Sequence, residues 1–314
     1  MISAFESIGS IFIIIAIGYG LIKYKLLPEN ASGVLNRIVF DVSIPMLMVT
    51  SVYEKFTREM IIDSLGGVLT SIISVAACYA LARVIFGFLD KGEGGSSVFA
   101  VLFSFSNTIF MGLPICVAIL GQEAATYALI YYFANTTLFW TMGLYFIKKE
   151  AKASVGGYSF FGGLANLFSA PFIGFMAGLV LVFADARLPE FIFSTLKSVG
   201  GMATPMSLII IGMMISRVEF SKGLIDSKSV IALSGKFIVL PLLTALLLNY
   251  SSVPLLMKKT FILQAAMPIM AQSAITAKKF GLQEEKASFL VGMSTVLSIF
   301  VIPVYVVLIQ LFYV

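Results

Sequence analysis

Neutral amides and hydroxyls set inside long apolar runs are the side chains whose chemistry stands out in this sequence. Ser104-Phe105-Ser106-Asn107-Thr108-Ile109-Phe110-Met111-Gly112-Leu113-Pro114 lies in one such run and Gln264-Ala265-Ala266-Met267-Pro268-Ile269-Met270-Ala271-Gln272-Ser273 in another. An amide can hold a carboxylate through its two N–H groups while staying neutral, which suits reversible binding. Irregular backbone inside hydrocarbon must in turn line a cavity, because a freed backbone group there costs several kcal/mol. Asn107, Thr108, Gly112 and Pro114, with Asn135 from a third run and Pro268, Gln272 and Ser273, are therefore the candidate substrate-binding residues. Gln264, Ser294 and Thr295 offer neutral oxygens of the kind that coordinate sodium. Asp41 and Lys236 are charges well inside apolar runs, and a lone charge at the bilayer centre costs at least about 2.5–3.5 kcal/mol, so each should face a cavity or a partner. They complete the ion-coupling candidates, with Asp41 as the protonatable one.

Plainer roles stand beside these. Asn107 as a bridge between helices would contribute only about 0.6 kcal/mol, Ser and Thr close their hydroxyls onto their own helix carbonyls, and Lys236 can snorkel. Pro114 and Pro268 can be simple kinks, since Pro45, Pro171, Pro205, Pro241 and Pro303 also fall in apolar runs.

No catalytic or metal-binding pattern is present. The chain has no His, which excludes His-based triads, metal-binding His pairs and His proton relays. Cys78 and Cys116 sit inside apolar runs as small core residues. Lys91-Gly92-Glu93-Gly94-Gly95 lacks the pattern of a phosphate loop and reads as a flexible turn. No cofactor is implied beyond coupling to sodium or protons.

The elements that must carry these residues follow from composition. Of 314 residues, 59% are hydrophobic and 12% charged, with a mean hydropathy of +1.02, more apolar surface than one soluble core can hide. The expectation is an all-α polytopic membrane protein. Windows of about 20 residues, the length that crosses the hydrocarbon, fall at 5–23, 34–53, 62–88, 97–120, 124–147, 159–184, 191–215, 229–249, 260–277 and 287–312. The first holds Glu6, has no basic residue ahead of it and runs into Lys23 and Lys25 without a small-residue cleavage site, so it reads as a retained helix. Among loop cations, Lys55, Arg58, Arg187, Lys197, Lys258 and Lys259 share one side. All the others, from Lys23 through Lys148, Lys149 and Lys152 to Lys286, share the opposite side. The positive-inside rule then puts both termini outside the cell membrane. The +5 charge is topology and not a nucleic-acid footprint.

The ten windows pair. Ser43-Ile44-Pro45-Met46 in the second corresponds to Ala203-Thr204-Pro205-Met206 in the seventh, Asn135-Thr136 in the fifth to Ser294-Thr295 in the tenth, and Pro114 in the fourth to Ser273 in the ninth. Residues 1–147 and 159–314 thus read as two five-helix repeats joined by a linker at 148–158. An odd number of crossings inverts the second repeat, the design of many secondary transporters, with broken helices four and nine crossing at the midplane. Amino-terminal half-helix ends there attract an anion and carboxy-terminal ends a cation.

Asn107-Thr108-Ile109-Phe110-Met111-Gly112-Leu113-Pro114 resembles the fourth-helix signature of the auxin efflux carrier family. Ala265-Ala266-Met267-Pro268 leading to Ala277-Lys278-Lys279-Phe280 is similar to its ninth, Leu35-Asn36-Arg37 with Pro45 to its second, and Gly201-Met202-Ala203 with Ser207-Leu208 and Gly212 to its seventh. The resemblance implies a ten-helix carrier with a scaffold of spans one, two, six and seven and a moving part of spans three to five and eight to ten. It implies small carboxylates such as malate or malonate as cargo, or auxin as in plant members, and a homodimer through the scaffold as one mode of assembly. Ser273 stands where the family's second crossing proline is expected. Two other readings share the sequence features: a sodium-coupled symporter of the bile-acid type, and a membrane receptor that binds without transporting.

Overall fold

The computed structural model describes residues 2–28, 30–57, 59–60, 65–90, 94–151, 169–217 and 224–313. Arg58, Lys91, Gly92, Glu93, Lys152, Lys222 and most of the 148–158 linker lie outside the described residues.

Every named element is helical: α1 (Ile2–Lys23), α2 (Ala31–Ile38), α3 (Ile44–Lys55), α4 (Leu65–Leu89), α5 (Ser96–Ser104), α6 (Leu113–Leu120), α7 (Ala124–Leu138), α8 (Leu144–Glu150), α9 (Ala170–Phe183), α10 (Glu190–Gly201), α11 (Ala203–Ile215), α12 (Ser227–Ser234), α13 (Leu240–Asn249), α14 (Leu255–Ala265), α15 (Gln272–Phe280) and α16 (Glu284–Phe312). Among the described residues, five segments are long and apolar enough to span a bilayer: Ala31–Glu54, Gly66–Leu89, Glu190–Ile215, Ser227–Asn249 and Glu284–Phe312. Gly9–Lys23, Thr108–Leu120 and Ala170–Phe183 are shorter apolar helices. The windows 97–120 and 260–277 are interrupted, each arriving as two short helices with non-helical backbone between them.

Four π-helical turns are present: Val39–Ser43, Phe139–Gly143 and Gly235–Val239 join successive helices, and Thr108–Gly112 leads into α6 from non-helical backbone. Three of them end two residues ahead of a proline, namely Pro45, Pro114 and Pro241. Proline has no N–H and its ring presses on the carbonyl four residues back, so the ladder widens there. The carbonyl that Pro241 leaves without a helical donor is that of Phe237, and the Tyr305 hydroxyl donates to it at 2.6 Å.

Two groups of helices can be distinguished, in contact with each other where α6 meets α1 and α11 and where α3 meets α7. In the first, α1 runs along α11, and α3 lies against α9 and α10. Backbones nearly touch in this group: a Cβ on Gly212 would stand 1.9 Å from the Ile15 carbonyl oxygen, and one on Gly18 2.0 Å from that of Ile209. In the second, α4 packs on α5, α7 and α13, while α14 packs on α7 and α13. Tyr79, Phe86, Phe103, Phe105 and Phe139 fill its interior.

At one end of the second group, the Gly94–Gly95 turn is tied down and not loose. Both glycines are left-handed, with φ of +73° and +94°, a conformation that disfavours a Cβ. The Glu150 carboxylate, from the end of α8, accepts from the N–H groups of Gly95, Ser96 and Ser97, the last at 2.7 Å. A negative charge on the exposed N–H groups at the start of α5 suits the positive end of its dipole. Arg83 donates to the Ser97 hydroxyl at 2.7 Å, and Gln283 to the Gly94 carbonyl at 3.2 Å.

Candidate functional site

The two interruptions meet. Phe105, Ser106 and Asn107 follow α5 as non-helical backbone, and Ala266–Ala271 separate α14 from α15. They pair antiparallel: the Asn107 N–H donates to the Pro268 carbonyl at 2.8 Å, and the Met270 N–H to the Phe105 carbonyl at 3.0 Å, flanking a Ser106–Ile269 bridge. Two short non-helical segments thus pair part of each other's backbone, as hydrocarbon demands.

Each strand is also gripped from a neighbouring helix. Asn135 on α7, fully buried, accepts from the Ser106 N–H with Oδ1 and donates from Nδ2 to the Ser106 carbonyl, both at 3.1 Å. Ser294 on α16 accepts from the Ile269 N–H at 3.1 Å and donates to the Val291 carbonyl. Asn135 thus holds one of the two bridged residues, Ser106, and Ser294 the other, Ile269. Thr295 donates to Val291 within its own helix.

Beside the paired strands opens a cavity of about 470 Å³. Its lining draws on Asn36 and Phe40 near α2, Met214 of α11, Tyr132, Thr136 and Trp140 around α7, Ser106–Phe110, and Met270, Ala271, Gln272 and Ile275. It therefore lies between the two helical groups, and Phe40 of one stacks on Phe110 of the other with ring centroids 5.4 Å apart. None of the described lining residues is charged. Thr108 begins the π turn that leads into α6, and Gln272 begins α15. Two helix amino-terminal ends thus border one largely apolar, aromatic chamber, although the Thr108 N–H itself is taken by the Ser106 carbonyl and that of Ser273 by the Met270 carbonyl.

Of the residues singled out from the sequence, Asn107, Thr108 and Gln272 line this cavity; Asn135, Gly112, Pro114, Pro268 and Ser273 do not. Pro114 sits in the first turn of α6, where proline is well tolerated, and the interruption lies upstream of it at Phe105–Asn107. Gly112 accommodates Gln264, whose Oε1 would be 2.0 Å from a Cβ there. Gln264 Oε1 and Ser273 Oγ are buried without hydrogen-bond partners among the described residues. Asp41 is on an exposed face of the second helix and away from the cavity.

Lys236 is wholly buried beneath the strands, where its ammonium donates to Ser106 Oγ at 2.5 Å and to the Ala265 carbonyl at 2.7 Å. Sequence reasoning missed both this attachment and the lining by Asn36, Phe40, Tyr132, Trp140 and Met214. Trp140, the one Trp of the chain, set in mid-run beside Asn135 and Thr136, was the available signal.

Comparison with known proteins agrees with this architecture. The family described as Membrane transport protein matches residues 3–157 and 159–306. An uncharacterized transporter of Methanothermobacter thermautotrophicus is 26% identical over 305 residues, covering 96% of each chain. Another, of Methanocaldococcus jannaschii, is 22% identical over 309 residues, covering 94% of this chain and 95% of its own. The chain belongs to the membrane transport protein family, that of the auxin efflux carriers, and is a multi-pass membrane transporter.

Proposed function

We propose that the chain is a secondary carrier of small organic anions, and that its cargo is a monocarboxylate with an aromatic or branched apolar body, an auxin-like weak acid in preference to malate or malonate. The observation that carries this reading is the character of the cavity: two helix amino termini, the Asn107 amide and a few other neutral polar side chains, among them Asn36, Thr136 and Gln272, with no charge among the described lining residues and with Phe40, Phe110, Tyr132 and Trp140 supplying an aromatic wall. Partial positive charge and N–H donors suit one carboxylate. A second carboxylate would be left among aromatic rings with no cation to pair with, and burying an unpaired charge is costly.

In this account the ten apolar segments form two inverted five-helix repeats in the cell membrane, with both termini outside. The helical group holding the paired strands moves against the group of α1–α3 and α9–α11, which serves as scaffold and as the surface for a homodimer. Support comes from the placement of the cavity between the two groups and from the matched grips of Asn135 and Ser294. A thermal-shift screen of purified protein tests the cargo. Aromatic monocarboxylates should raise the melting temperature in a saturable way and malate should not; stabilisation by malate alone would refute the preference.

A further inference from the structure

α14 ends at Ala265, where the Ile262 and Gln264 carbonyls accept from the Ala266 and Met267 N–H groups, and the dipole of the helix presents partial negative charge at the Ala265 carbonyl. In carriers with broken helices such carboxy-terminal ends coordinate a coupling cation such as sodium. Here Lys236 reaches the spot from the π turn Gly235–Val239. Its ammonium donates to the Ala265 carbonyl and to Ser106 Oγ, which itself donates to the same carbonyl at 3.3 Å. The ligands are a helix-end carbonyl and a hydroxyl, oxygens that a hard cation would choose. Among the described residues no carboxylate pairs with Lys236. The charge is therefore balanced by dipoles alone, as a bound metal ion's would be.

We propose that the Lys236 ammonium is the resident cation of this crossing, tethered where a carrier of this construction would otherwise bind sodium, so that the strands are assembled without any metal ion. Ser106 joins the parts: its backbone is clamped by Asn135, its hydroxyl by Lys236, and its bridge partner Ile269 is clamped by Ser294. One cation thus connects α12–α13, α14 and the strand after α5. The proposal concerns the fold of the crossing and stands whatever the cargo is.

The test is the melting temperature of purified protein in sodium chloride against choline chloride at equal ionic strength, which needs no substrate. Wild type should melt at the same temperature in both. Lys236→Ala, which leaves an ammonium-sized space lined by oxygens, should melt lower and be raised by several degrees, saturably, by sodium or by ethylammonium but not by choline. Lys236→Met fills the space without charge and should melt lower than wild type in every salt. Saturable stabilisation of wild type by sodium would overturn the proposal. So would a Lys236→Met protein as stable as wild type, or a Lys236→Ala protein indifferent to the small cations. A role of Lys236 in packing alone lowers stability but confers no choice among cations.

Discussion

The Asn107 N–H donates to the Pro268 carbonyl at 2.8 Å, so the backbones of two interrupted helices are held together at the residue whose side chain faces the cavity. Its main chain builds the crossing and its side chain is left over: among the described residues the Asn107 amide has no hydrogen-bond partner. That separation allows the two roles to be tested apart.

Asn107→Ala keeps the N–H that binds Pro268 and removes only the free amide. It should leave the melting temperature within a degree or two of wild type. Binding of an aromatic monocarboxylate, read by titration of its thermal stabilisation, should weaken by about tenfold, the equivalent of one hydrogen bond to a charged group at about 1.4 kcal/mol.

Asn135→Ala has the opposite signature. It strands the Ser106 N–H and carbonyl in a dry interior, each at about 1–3 kcal/mol. A marked loss of thermal stability is expected in detergent, whether or not a carboxylate is present. A variant as stable as wild type would mean that Asn135 does not hold the strand.

Gly212→Ala puts a methyl group 1.9 Å from the Ile15 carbonyl oxygen, backbone against side chain with nothing flexible to yield. α1 and α11 must separate, and overpacking of this kind costs about 1–3 kcal/mol or more. Size-exclusion chromatography of the expressed variant should show a large fall in monodisperse protein, whereas Gly201→Ala, which meets nothing within 4 Å, should behave as wild type.

Asp226 caps α12, accepting from the Ser229 N–H and pairing with Lys286 at 2.6 Å. Partial burial pushes its carboxyl up, but the Lys286 ammonium and the N–H and hydroxyl of Ser229 outweigh this and hold it at about 2, below the ordinary 3.8. A depressed folded value favours the charged form, so this stabilisation is complete above pH 3.8 and is lost as the pH falls toward 2. Melting temperatures of wild type and Asp226→Asn, measured from pH 6 to pH 2, should therefore differ at the upper end and converge at the lower.

The apolar runs, their approximate limits and the unusual polarity around Asn107 and Gln272 are legible in the sequence because burial in lipid forces a distinctive composition. The position of the first interruption is not legible for a local reason: proline after a polar stretch suggests a break at Pro114, yet proline starts a helix as readily as it ends one. Chain pattern does not give Ser106 opposite Ile269, since the pairing depends on two segments far apart meeting at a register set by third parties. Lys236 illustrates the same limit. Its sequence position demands a partner, but a hydroxyl and a helix-end carbonyl are too common to be identified as that partner beforehand. Phe40 and Met214 look like ordinary core residues until the cavity between the two helical groups is seen.

The most direct test of the carrier itself is uptake of a labelled auxin-like monocarboxylate into proteoliposomes holding wild type or Asn107→Ala at equal density. Saturable accumulation by wild type, competed by other aromatic monocarboxylates and largely lost in Asn107→Ala of unchanged melting temperature, is the predicted result. Binding without any flux, or equal flux by the two proteins, would contradict it.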